Sequence, residues 1–206
     1  DFGISLDRDI FSWIGDHVGT FGFPLENKEK LSQVLWIRAS DASKAEQSLK
    51  RIKKALEKKL PIVFKDRVHK DVAISYIDLP LYLKIIFNPI FQKISKPYWM
   101  VVKDMVFFSD DIESLTAVVD TYRGDQTIED DVNFELMEKS LSFDSNLFLF
   151  AQMKPSLQYI KGFLNRSAAV AINKWQPYLL KFRLVGLNSN VKDDEVAAKL
   201  YLKLAD

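Results

Sequence analysis

The chain has no cysteine, only two histidines and no run of eighteen apolar residues. Without cysteine there is no disulfide framework, no thiolate metal site and no thiol nucleophile. The same absence is silent on compartment, because many extracytoplasmic bacterial domains do without disulfides. Without a long apolar run no segment has the length of a spanning helix. The opening Asp1-Phe2-Gly3 carries no basic stretch followed by an apolar core, and the chain reads as a piece of a longer protein. An excess of one charge is missing as well: 29 basic residues stand against 28 acidic ones. No global field draws the chain to nucleic acid, and no nucleic-acid partner is expected.

What is present is an ordinary globular balance, 48% apolar and 28% charged over 206 residues. At that length roughly 70% of the unfolded surface can be buried, so a proper core is expected. Residues 7 to 14 read as a short amphipathic helix capped by Asp7, with Ile10, Phe11, Trp13 and Ile14 inward and Gly15 as its stop. Val34 to Ile37 is a short apolar strand. The next helix, 44 to 59, carries an inward stripe of Ala45, Leu49, Ile52, Leu56 and Leu60, with lysines over the remaining surface. A hairpin follows, Ile62 to Lys65 and Val72 to Ile77, then a second helix beginning at Pro80. Tyr98 to Val102 and Met105 to Phe108 are extended runs apolar on both faces, separated only by Lys103-Asp104. They are predicted to be central strands joined by a tight turn.

The second half reads similarly. Ser109, Asp110, Asp111 and Glu113 crowd the first turn of a helix that Gly124 ends. Asn133 to Ser140 is predicted helical, Leu147 to Met153 extended, Leu157 to Asn165 helical, and Tyr178 to Leu187 and Glu195 to Leu204 extended. In the last strand Val196, Ala198, Leu200, Leu202 and Leu204 share the side expected to pack, while Lys199 and Lys203 meet water. The hairpins between helices predict an α+β fold, an antiparallel or mixed sheet with helices against it, in one domain over 1 to 206. DIFSWI, VLWIRA and SKAEQSLKRI are echoed by NFELMEKS, NLFLFAQM and SLQYIKGFL, which makes 7 to 124 and 131 to 206 candidate related halves.

The motifs offer little chemistry. Gly15, Gly19 and Gly22 follow a predicted helix, whereas a phosphate cradle precedes one, and Asp16 would repel an anion. They are read as a helix stop and as relief for a twisted strand. His17 and His69 each stand alone, without the spacing or the carboxylate partner of a zinc site. Asp110, Asp111 and Glu113 read as helix capping, and Glu129, Asp130 and Asp131 as a solvated loop, because a calcium loop needs alternating ligands around a glycine. No catalytic residue, cofactor or metal ligand is assigned. Two contact candidates remain. Lys50, Arg51, Lys54 and Lys58 can meet an anionic partner or headgroup, and Leu83, Ile86, Phe87, Ile90 and Phe91, in a segment with ten apolar residues in sixteen, can line an apolar pocket or dock a partner.

Phe2-Gly3-Ile4-x-Leu6-x-x-Asp9-Ile10-x-x-Trp13-Ile14-Gly15-Asp16, followed by a strand, the helix at 42 to 56 and the hairpin pair before Ser109, resembles a bacterial family of envelope proteins catalogued as a domain of unknown function. The resemblance runs roughly from Phe2 to Leu164. It implies an extracytoplasmic location, with a membrane anchor upstream, and carries no catalytic residues. The expected function is therefore non-catalytic binding or scaffolding at the cell envelope through a protein partner. A carrier or sensor of an apolar, lipid-like ligand would need a deep dry cavity. A hydrolase would need ionisable groups converging in one cleft.

Overall fold

The computed structural model describes residues 3–25, 31–59, 64–77, 98–124, 128–142, 144–161, 164, 166–192 and 195–205. The fold is α+β, and the chain divides into two compact units, Asp1–Gly22 with Ser32–Gly124, and Phe23–Leu31 with Asp125–Asp206. The helix predicted from Pro80, the apolar segment 79 to 94 and Leu60 lie outside the described residues. No described helix is long and apolar enough to cross a membrane.

The first unit is a six-stranded sheet in the order β1-β2-β6-β5-β4-β3, built from β1 (Ile14–Phe23), β2 (Ser32–Ala39), β3 (Phe64–His69), β4 (Val72–Ile77), β5 (Tyr98–Val102) and β6 (Met105–Ser109). The two runs apolar on both faces, β5 and β6, take the middle. Helix α1 (Ala42–Glu57) covers one face, where Ala45, Leu49 and Leu56 join Trp13, Val106, Trp99 and Phe64 in the core. On the opposite face Val34, Ile74 and Met100 are buried, and helix α2 (Ile112–Arg123) lies along β2, β4, β5 and β6 with Leu115 and Val119 inward. Both helices start as their sequences dictate. Asp41 accepts from the Lys44 amide at 3.0 Å, and Asp111 accepts from the Ser114 amide at 2.7 Å, a contact of about 1 kcal/mol each. The β3–β4 turn is tighter than predicted: the strands run on to His69 and from Val72, because Lys70 and Asp71 both adopt the left-handed conformation (φ 44° and 68°) that a two-residue hairpin turn requires.

The N-terminal segment departs from its prediction. Asp7–Phe11 is a single helical turn, and β1 begins at Ile14, so Gly15 is a strand residue and not a helix stop. Its absent side chain matters because a Cβ would sit 2.7 Å from the Arg38 carbonyl oxygen of β2. Gly19 lies against the Trp36 indole, where a Cβ would stand 2.7 Å from the ring. Trp36 is only half-buried and can swing away. Gly19→Ala is accordingly expected to cost about 1 kcal/mol and to alter the near-ultraviolet circular dichroism of the indole, checked by thermal unfolding of the variant.

The second unit is a three-stranded antiparallel sheet, β7-β8-β9, from β7 (Leu147–Gln152), β8 (Phe182–Lys192) and β9 (Glu195–Leu204). Helix α3 (Val132–Glu138) follows a short turn at Ile128–Asp130, and α4 (Met153–Lys161) and α5 (Arg166–Leu179) fill the connection from β7 to β8. Helix α5 replaces the strand predicted to start at Tyr178; Arg166 to Trp175 have helical spacing, and Pro177 falls in the last turn, so the strand is delayed to Phe182.

Candidate functional site

In the first unit the four basic residues of α1 meet different fates. Lys50 pairs with Glu46 one turn back at 3.1 Å, and Lys54 and Lys58 are exposed. Arg51 donates to Asp9 Oδ1 at 2.7 Å. Asp9 is the more informative partner: it is 1% exposed, yet takes Arg51, Arg8 at 2.8 Å and the Ser5 amide at 2.8 Å. The hydrogen bond from Arg8 is the largest influence and holds the Asp9 carboxyl down at about 2, against the opposing effect of burial. The Asp9 carbonyl meanwhile accepts from the Trp13 indole at 3.0 Å. The N-terminal turn is thus fastened to α1 through one carboxylate, and Arg51 is engaged by the chain itself.

Beside α1, over β4 and β5, lies an open groove of about 510 Å³. Lys53 crosses it to Asp66 at 2.7 Å, and Ser75 donates to the same carboxylate at 2.7 Å. Burial pushes the Asp66 carboxyl up, but these hydrogen bonds outweigh it and leave it below its ordinary value. Lys50, Lys103, Arg123 and Asp71 also line the groove, so it is charged and not the dry cavity an apolar ligand requires. Leu83, Ile86, Phe87, Ile90 and Phe91 lie outside the described residues.

The histidines are not alone. His17 Nδ1 is 2.6 Å from Asp16, and His69 Nε2 is 2.7 Å from Asp120, which Lys70 also reaches at 2.7 Å. The expectation that each lacks a carboxylate partner fails at His17 because the adjacent residue supplies one, and at His69 because α2 packs its Asp120 against the β3–β4 turn, across 51 positions of sequence. Hydrogen bonds from Lys70 and then His69 hold Asp120 below its usual value, and one from His17 does so for Asp16. Among the described residues no three His, Asp or Glu side chains come together as a metal would need. The acidic stretches divide between caps: Asp111 starts α2, and Asp131, expected in a solvated loop, caps α3 through the Asn133 amide at 2.7 Å and receives Gln152 at 2.9 Å.

In the second unit the two faces of the sheet differ in kind. One face is covered: Phe134, Met137 and Leu141 pack on Phe148, Phe150 and Tyr201, with Phe134 edge-on to Phe150 at 5.3 Å. Gly186 in the middle of β8 admits them, since a Cβ there would lie 2.5 Å from the Met137 sulfur. Asn188, also on this face, is buried and donates to the Ser142 carbonyl at 2.9 Å. The register places the alternate residues in rows on the other face: Leu149, Leu187 and Leu200; Ala151, Val185 and Leu202; Leu147, Ser189 and Ala198. These side chains are exposed or half-buried, Leu200 at 61% and Val196 at 71%. The sidedness predicted for the last strand is therefore inverted. Tyr201 reaches the core, and the leucine side of β9 is open, because Leu184, Gly186 and Asn188 rather than Val185 and Leu187 are the β8 residues on the covered side. None of the three rows holds a charged side chain, and Arg183, at the bulge that begins β8, is the nearest exposed cation on that strand. Sequence reasoning found the alternation in β9 but had no means of telling which side the helices take.

Compared with protein-family models, curated proteins and solved structures, the chain finds no match.

Proposed function

We propose that this protein is a non-catalytic binding module that docks a protein partner on the open sheet face of its second unit, and that it acts at the bacterial cell envelope. One observation carries the reading: three rows of leucine, valine and alanine with one serine, uncharged and exposed or half-buried. Soluble chains rarely leave continuous apolar patches beyond a few hundred Å², and those that do so use them for contact. The envelope location rests on the resemblance of the segment from Phe2 to Asp16 and on nothing in the sheet. The charged, open character of the groove beside α1 favours protein contact over carriage of an apolar ligand.

The test is a photo-crosslinking amino acid placed at Leu200 of the protein in its own cells, with Val170, an exposed apolar position on α5, as the control. Discrete protein adducts are expected from position 200 and not from 170. Adducts absent from 200, or equal at both positions, would refute the binding reading.

A further inference from the structure

Resting on that reading, we infer that the partner is a second copy of this chain, joined sheet to sheet through the open face of β7, β8 and β9. Three properties of the face select this occupant. The first is its composition relative to the covered side. An antiparallel sheet with one packed face shows apolar residues inward and polar ones outward. Here the covered face carries Gln152, Asn188, Lys199 and Lys203, whereas Ser189 is the polar side chain among the rows of the open face. At β9 the open side is thus the more apolar of the two, the reverse of a sheet whose open side is made for water.

The second property is charge. A two-fold dimer brings the same patch of each copy together, so any charge in the patch meets itself. The three central rows carry no charge and incur no such repulsion, Arg183 lying at the end of β8, and the whole chain, at a formal +1, adds little. A basic or acidic partner would find nothing to pair with in those rows. A lipid surface is disfavoured on the same ground, since interfacial binders set cations beside the apolar side, and Lys199 and Lys203 belong to the covered face.

The third is area. Seven leucines and valines on this side are between 44% and 71% exposed, an apolar area on the order of several hundred Å², the scale of one partner's share of a stable interface. Two such sheets stack about 10 Å apart with their strands some 30° askew, which places Leu149, Leu187 and Leu200, the middle row, at the centre of the contact. Side chains at the centre dominate the energy of an interface.

Sedimentation equilibrium of the purified full chain between about 1 and about 100 μM decides the question, a range that brackets micromolar affinity. A dimer is expected, and Leu200→Asp should weaken it at least about 30-fold, the effect of losing one central residue. Val170→Asp, on α5, should leave it unchanged. Because position 200 is exposed, unfolding is not anticipated, and retention of the native circular dichroism is the check. A native chain that stays monomeric to the top of the range overturns the inference, as does a dimer that both variants leave intact. If adducts from position 200 to another protein persist in cells while the purified chain is monomeric, the dimer fails and the binding reading stands. If neither is seen, both fail.

Discussion

Replacing Gly186 by valine is expected to lower the stability of the second unit by about 3 kcal/mol, the upper range for overpacking a tight core. The position is the middle of β8, where valine would otherwise be a better strand residue than glycine. What opposes it is space. A first added carbon already falls 2.5 Å from the Met137 sulfur and 2.7 Å from Leu141 Cδ1, and both of those side chains are buried. Helix α3 has only seven residues, so it is held less by its own hydrogen bonds than by this close seat on the sheet. If the clash is the cause, shortening the obstructing side chain should relieve it. Met137→Ala alone leaves a cavity and is expected to cost about 3 kcal/mol. Combined with Gly186→Val, the total should fall short of the sum by at least about 1 kcal/mol, a coupling that chemical denaturation of the four proteins would measure. Additive costs would mean that Gly186 is chosen for some reason other than α3.

The elements that the sequence announces best are those whose signal is local. Helix α1 shows its stripe within sixteen residues and forms two residues ahead of the predicted 44 to 59, while β5 and β6 show apolar runs with a two-residue break and form where the pattern places them. Helix α2 begins on the acidic cluster and stops at Gly124 for the same reason. Misreadings come where a distant segment decides. Strand β1 is hidden by its glycines, which look like punctuation until Trp36 and Arg38 of the neighbouring strand are seen to need the room. Asp120 reaches His69, and Arg51 reaches Asp9, only after a helix has packed, so neither pair has a spacing to recognise. The candidate face is the sharpest instance. Alternation in β9 is legible residue by residue, but which side is buried is set by Gly186 and Asn188 on the neighbouring strand.

Asp9→Asn is expected to destabilise the first unit by about 2 kcal/mol at neutral pH, and the loss should disappear in acid. The magnitude follows from the carboxyl itself. Folding moves it from an ordinary 3.8 to about 2, and each unit of such a difference is worth about 1.4 kcal/mol of preference for the charged form in the folded state. A depressed acid contributes fully above its unfolded value. Its contribution is therefore complete above about pH 4 and is lost as pH falls through about 2. Asparagine keeps the shape and one acceptor oxygen but lacks the charge that two arginines and the Ser5 amide share. The two arginines stand half in water and regain hydration when the carboxylate goes, so the cost stays below that of stranding a buried cation. Because three of the four tryptophans, Trp13, Trp36 and Trp99, belong to the first unit, indole fluorescence during urea unfolding reports mainly on it. The difference between native and variant curves should be constant from about pH 7 to about pH 5 and shrink steadily below about pH 4. A difference that persists undiminished at about pH 2 would mean that the carboxylate holds the N-terminal turn through its shape alone, and that the fastening to α1 is not electrostatic.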